Sequence, residues 1–281
     1  MRRLLALLVA FLTSLSQGAL AIGTLEQLQL RGPVKRCFFR FSTIGQPDTH
    51  GWSACRDFDE QGRMTYYCTF NPDGSVEAET RWRYILDGDR LVGIVRTGED
   101  PSESFVRYDD AGRVVVTETR TPENRRMLIY LDAEGHQVGT ESVSPDGSVQ
   151  TRSVTTHSSD GKPAKTDEFD ASGRSVSTTE STSTPEGRPL TRKTSPIPGS
   201  QIVGSFVLVT HEYDERGLMV SRSMIESEGV LPVSRWRYEY DDFDDYGNYT
   251  TVTTYERNEW QREISDFQLT DTEKRRITYY D

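Results

Sequence analysis

Phe58-Asp59-Glu60-Gln61-Gly62-Arg63 returns as Tyr108-Asp109-Asp110-Ala111-Gly112-Arg113, as Phe169-Asp170-Ala171-Ser172-Gly173-Arg174 and as Tyr213-Asp214-Glu215-Arg216-Gly217. Variants end at Gly74, Gly88, Gly135, Gly147, Gly161, Gly187 and Gly247, and the basic step between glycines is 12 to 14 residues, in places doubled or stretched. That step matches one strand plus one turn. The Asp carboxylate can accept the backbone N–H two residues on, and Gly enters the left-handed region with no Cβ penalty. In Asn71-Pro72-Asp73-Gly74, Ser144-Pro145-Asp146-Gly147 and Thr184-Pro185-Glu186-Gly187, proline pre-sets the first corner of a type I turn and glycine serves the bulge that follows. Three-residue hairpin loops are the expected result. Between turns the residues alternate: in Arg235-Trp236-Arg237-Tyr238-Glu239-Tyr240 three rings share one face and three charges the other, and Arg81-Trp82-Arg83-Tyr84 begins the same way. The pattern predicts an all-β chain of antiparallel β-hairpin repeats, an extended meander or curled stack with few or no helices.

The 281 residues are only 34% hydrophobic, even with 13 Tyr counted, so the core must be thin. A net charge of −11 removes the electrostatic footprint of a nucleic-acid binder and disfavours anionic membranes. Arg2 and Arg3 precede an apolar run from Leu4 to Leu15, and Ala19-Leu20-Ala21 is a small-x-small cleavage pattern, so residues 1–21 read as a signal peptide. A periplasmic or extracellular, secreted protein is expected, with no transmembrane segment after cleavage, because no later stretch reaches spanning length. Residues 22–57 read as an N-terminal hairpin region, 58–195 as the repeats, 196–205 as a linker around Pro196, Pro198 and Gly199, and 206–281 as a C-terminal β-repeat capping region. From Thr140 to Ser195, 23 of 56 residues are Ser or Thr and only Val143, Val149, Val154, Phe169, Val176 and Leu190 are large and apolar. Threonine favours strands and the turns keep their spacing, which predicts paired but poorly buried strands there.

The aromatic-Asp-x-x-Gly-Arg motif at this step, from Phe58 to Gly247, resembles the YD repeats of RHS-type bacterial envelope proteins. The resemblance implies stacked antiparallel hairpins in an exported protein, with tyrosines in rows between the rungs. This chain is far shorter than the long shell-forming arrays of that family and shows neither their self-cleaving segment nor a toxin domain. A looser likeness is to the short Gly-containing hairpin repeats of the MORN kind.

Three cysteines in an oxidising compartment suggest one disulfide and one free thiol. A hairpin centred near Gln46 and Pro47 sets Cys37 opposite Cys55, and turn register places Cys55 and Cys68 on different faces, so Cys37 with Cys55 is the expected bridge and Cys68 a buried thiol. Asp241, Asp242, Asp244 and Asp245 are the densest carboxylates, a conceivable calcium site that lacks the alternating ligands and distal Glu of an EF-hand, so solvated turn residues are the plainer reading. Trp82, Tyr84, Trp236, Tyr238, Tyr240, Tyr255 and Trp260 could form a platform for sugars or peptides, although aromatic rows in β-repeats are more often core. His50, His136, His157 and His211 show no metal-ligand spacing, and no nucleophile elbow, phosphate loop or dinucleotide fingerprint appears, so no cofactor is expected. The sequence thus predicts a non-enzymatic binding or structural module of the cell envelope, with an envelope protein or glycan as partner. Two alternatives stand beside it: a carbohydrate- or peptide-binding protein using an exposed aromatic strip, and a carboxylate-dependent envelope hydrolase.

Overall fold

Each turn glycine named above adopts a positive φ, from +59° at Gly88 to +88° at Gly147. The computed structural model describes residue 28 and residues 30–43, 52–197, 206–226, 233–260, 263–264 and 266–280; the leader 1–21 and most of the 196–205 stretch lie outside them. At Gly62 the turn amide donates to Asp59 O (2.9 Å), Asp59 N donates to Arg63 O (2.9 Å), and the Asp59 carboxylate accepts the Gln61 and Arg63 amides. The same two backbone bonds recur at all of these glycines except Gly88, so the three-residue loops form as the sequence predicts. At Gly88 the loop shortens to two residues, with Asp87 paired directly to Arg90. Gly112 also answers a packing demand, since a Cβ there would stand 2.7 Å from Arg90 Nη2 of the preceding hairpin.

The strands are β1 (Val34–Thr43), β2 (Ala54–Phe58), β3 (Met64–Phe70), β4 (Val76–Asp87), β5 (Arg90–Gly98), β6 (Ser102–Tyr108), β7 (Val114–Arg120), β8 (Arg126–Leu131) and β9 (Gln137–Val143). They continue as β10 (Val149–His157), β11 (Pro163–Asp170), β12 (Ser175–Ser183), β13 (Pro189–Pro196), β14 (Val207–Tyr213), β15 (Met219–Glu226), β16 (Val233–Phe243), β17 (Tyr249–Trp260), β18 (Glu263–Ile264) and β19 (Gln268–Tyr279). Each pairs antiparallel with the next from β1 to β17, including β13 with β14 across the 196–205 stretch. The two-residue β18 is an annex of β17.

The meander does not stay open. β19 pairs with β17 on one side and with β1 on the other, from Val34 opposite Tyr279 to Thr43 opposite Asp271. Eighteen strands therefore form a closed antiparallel barrel, with β18 outside the ring. The expected extended meander or curled stack is corrected on this point: first and last strands complement one another, and closure removes the unpaired edges that an open stack would expose. Strands spaced about 4.8 Å and tilted about 40° would make a round ring on the order of 35 Å across. Each strand approaches only its ring neighbours.

Alternation gives the sheet two faces. The more buried one carries Cys37, Phe39, Ala54, Thr80, Ile94, Ser104, Thr117, Thr155, Ser177, Thr179 and Val252. Apolar packing on it concentrates beside the closing strand. Leu30, Val34, Cys37, Phe39, Ala54 and Phe58 form one cluster with Ile277 and Tyr279 against it, while Leu218, Tyr249 and Val252 form a second with Tyr238 and Tyr240. Across the Ser/Thr-rich strands, hydroxyl pairs take over: Thr140 with Ser153 (2.8 Å), Thr155 with Thr166 (3.1 Å) and Thr179 with Thr194 (2.9 Å). This is the paired, thinly packed region that the composition predicts, with the polar groups satisfied by one another.

At four places a tyrosine joins one hairpin to the one before it, where no covalent turn does so. Tyr84 donates to Met64 O, Tyr108 to Leu91 O, Tyr213 to Pro189 O and Tyr240 to Met219 O, at 2.7 to 2.9 Å. At the seam the device is Asn248, only 1% exposed. It accepts from Arg31 N (2.6 Å) and donates to Arg31 O (3.0 Å) and to the Tyr279 hydroxyl (2.8 Å).

Removing that amide strands several buried partners, so Asn248→Ala is expected to lower stability by about 2–3 kcal/mol in urea unfolding, against about 1 kcal/mol for Tyr240→Phe, which deletes a single hydrogen bond. Equal effects would mean that Asn248 does not hold the seam.

Candidate binding cleft

A shallow, open recess of about 700 Å³ lies across β1 to β5, lined by Arg36, Asp57, Thr65, Tyr66, Arg81, Trp82, Arg83, Val95 and Thr97. Strand alternation puts Arg36, Asp57, Tyr66, Arg81 and Arg83 on the face opposite the seam core. Arg36 grips Asp57 through two parallel bonds of 2.5 Å, which raise the guanidinium pKa above its ordinary value. Arg81 and the Tyr66 hydroxyl both donate to Glu79 (3.1 Å each) and hold its carboxyl below the usual range, while the Arg81 guanidinium lies 4.7 Å from the centre of the Tyr66 ring. Arg83 is exposed and has no carboxylate partner among the described residues. Arg83, on the same face as the Tyr66 phenol and the paired Arg36 and Arg81, can receive a carboxylate, whereas the Trp82 indole turns to the other face under Arg96. Of the cleft residues, the sequence reading had singled out Trp82 alone. The alternating Arg-Trp-Arg-Tyr pattern was visible, but it could not show that β1 brings Arg36 alongside.

The predicted aromatic platform is not assembled. Trp82 and Tyr84 on β4 and Trp236, Tyr238 and Tyr240 on β16 are half-buried on the same face of the sheet, but β3, β2, β1, β19 and β17 stand between the two groups. Each group is engaged locally: Arg96 lies over Trp82, Arg222 over Trp236, and Tyr240 meets Tyr249 edge-on at 4.7 Å. Tyr255 lies under Arg237, and the Trp260 side chain falls outside the described residues. His50 also lies outside them.

The four aspartates serve the fold in different ways. Asp244 accepts the Tyr246 and Asn248 amides of its own turn, and Tyr279 also donates to it. Asp241, Asp242 and Asp245 are exposed, with Asp242 at φ +53°. The carboxylates that do gather are elsewhere, where Asp132, Glu134 and His136 bring ligand atoms within 4.8 Å of one another. That group is the ordinary hairpin turn with His in the place of Arg, since Asp132 accepts the Glu134 and His136 amides and meets His136 Nδ1 at 3.2 Å.

The cysteine expectation is corrected by register. Phe38, not Cys37, stands opposite Cys55; Cys37 faces Arg56 and Ile277 on the other side of the sheet. Cys55 stands directly opposite Cys68, because one extra residue in β3, Thr65 between Met64 and Tyr66, shifts the register and returns both thiols to one face. All three cysteines are buried, and no S–S bond joins any two of them in this structure. Burial pushes Cys37 and Cys55 up to about 12, which leaves neither as a ready nucleophile.

Comparisons with known proteins add little. No family model matches the chain, and no curated protein does. Among solved structures, a porin-like protein from Bacteroides uniformis ATCC 8492 is 12% identical, with 88% of this chain and 98% of that one covered and a TM-score of 0.45. The Photorhabdus luminescens Tc holotoxin pore is 9% identical over 82% of this chain and 17% of that one, TM-score 0.30, and the TcdB2-TccC3-TEV structure is 12% identical over 72% and 15%, TM-score 0.20. This chain thus spans less than a fifth of the toxin chains it matches.

Burial, and then the Arg222 charge, pull His211 down from 6.5 to about 4, and its Nδ1 has no hydrogen-bond partner. The unfolded chain therefore binds a proton near pH 6.5 that the folded one refuses, and stability falls as pH drops from about 6.5 towards 4. Asp160 and Asp170, held at about 2, lose their contribution only below the ordinary carboxylate value, outside this window. His211→Gln is expected to shrink the difference in urea midpoint between pH 7 and pH 5; an unchanged difference would refute the assignment.

Proposed function

We propose that the chain is an exported, water-facing β-barrel acting as a non-enzymatic binding or structural module of the cell envelope. The observation that carries this reading is the closed ring with charge on both of its faces. One face holds cross-strand ion pairs such as Arg36 with Asp57, Arg152 with Glu141 and the Glu118 carboxylate among Arg107, Arg120 and Arg126. The other holds Arg56, Arg96, Glu168, Arg192, Arg222 and Glu273 beside its hydroxyls. A lipid-embedded barrel needs an outward apolar band about 25 Å tall, and each basic residue at its midplane costs about 2–4 kcal/mol, so neither face suits hydrocarbon. Closure fits the same role, because a ring without edges resists edge-on aggregation outside the reach of cytoplasmic chaperones. No helix among the described residues is long and apolar enough to cross a membrane. Within the module, the arginine cleft is the place whose chemistry suits a partner's carboxylate.

Expression of the full chain with a C-terminal tag, followed by fractionation and mass measurement, tests this. The expected product begins at Ile22 and appears in the osmotic-shock or culture-fluid fraction, or is stripped from membranes by carbonate. Retention in carbonate-washed outer membrane until detergent is added would overturn the water-facing reading.

A further inference from the structure

Cys55 and Cys68 occupy directly opposed positions on β2 and β3, and their Sγ atoms lie 2.7 Å apart. They are 3% and 1% exposed, on the face that also carries Asp57 and Tyr66 of the cleft. Cys37, on the opposite face beneath Phe39, Arg56 and Ile277, is kept from both. Two sulfurs facing one another across an antiparallel pair need only loss of hydrogen and a small closing motion to bond, whereas bridging Cys37 to either would pass through the sheet.

We propose that Cys55 and Cys68 form a cross-strand disulfide in the exported protein, bolting β2 to β3 beside the cleft, with Cys37 left as a thiol. The two thiols lose two protons and two electrons as the S–S bond forms, and the acceptor is a second disulfide, of an oxidoreductase or of glutathione, which is reduced to two thiols in exchange. Oxidation belongs to folding, before the hairpin is covered. Once covered, the bond is shielded from reductants. The compartment rests on the export reading, but the chemistry can be tested without it.

The purified full chain is refolded in a glutathione and glutathione-disulfide buffer, quenched with acid, denatured, labelled with N-ethylmaleimide and mapped by peptide mass spectrometry. One label, on Cys37, and a linked peptide pair containing Cys55 and Cys68 are expected, with three labels after reduction. Cys37→Ser should keep the link, whereas Cys55→Ser and Cys68→Ser should each abolish it. Because labelling follows denaturation, the readout does not require the variants to fold. A native sample held in dithiothreitol should keep the bond far longer than one in urea. Three labels without reduction, or a link through Cys37, would overturn the proposal whichever compartment the protein occupies.

Discussion

Everything in this fold depends on the pairing of β1 with β19, the one junction in the ring made between strands at opposite ends of the chain. Every other junction lies between strands that are near neighbours in sequence and carries only a modest loop-closure cost. The seam brings together residues more than two hundred positions apart with no turn to join them, so side chains must reinforce its backbone ladder. The chain spends its scarce apolar residues accordingly, on the Phe39 cluster at one side of the closing strand and the Tyr249 cluster at the other. Between them Arg275 spans the seam, with its guanidinium over both the Tyr249 and Phe39 rings and its Nε on Glu273. Asn248 ties the residues before β1, the last turn and Tyr279 into one hydrogen-bonded knot.

Away from the seam a different economy holds. A sheet with few apolar residues can still be stable if its polar groups meet partners, and the threonine and serine pairs of β9 to β13 do this on one face while Arg and Glu pairs do it on the other. Individual exposed ion pairs add little, but Glu118, 7% exposed among three arginines, is a network rather than a pair. The tyrosine hydroxyls close the gaps between hairpins on the side where the chain supplies no turn. Where the residue ahead of the repeated Asp is tyrosine, as at Tyr108 and Tyr213, it acts as a staple in addition to a packing group.

The candidate cleft was far less legible than the fold. Its residues come from five strands, and only their assembly in the sheet reveals that Arg36, Arg81 and Arg83 share a recess. The aromatic residues failed as a platform for the complementary reason: local alternation placed Trp82 and Trp236 on the correct face, but the number of strands between them belongs to the ring. For the cysteines, the centre of one hairpin set the expected pairing, and the one-residue bulge at Thr65 in β3 was enough to change which thiols share a side.

The sequence by itself determined the strands, the turns and the alternation, because each depends on residues within a few positions of one another: an aspartate that caps its own turn, a glycine that tolerates positive φ, a side chain that points opposite to the next. Only the tertiary structure decided closure, the location of the cleft and which thiols face one another. These follow from register summed over eighteen strands and from a contact between the chain's far ends, and no local pattern carries that sum.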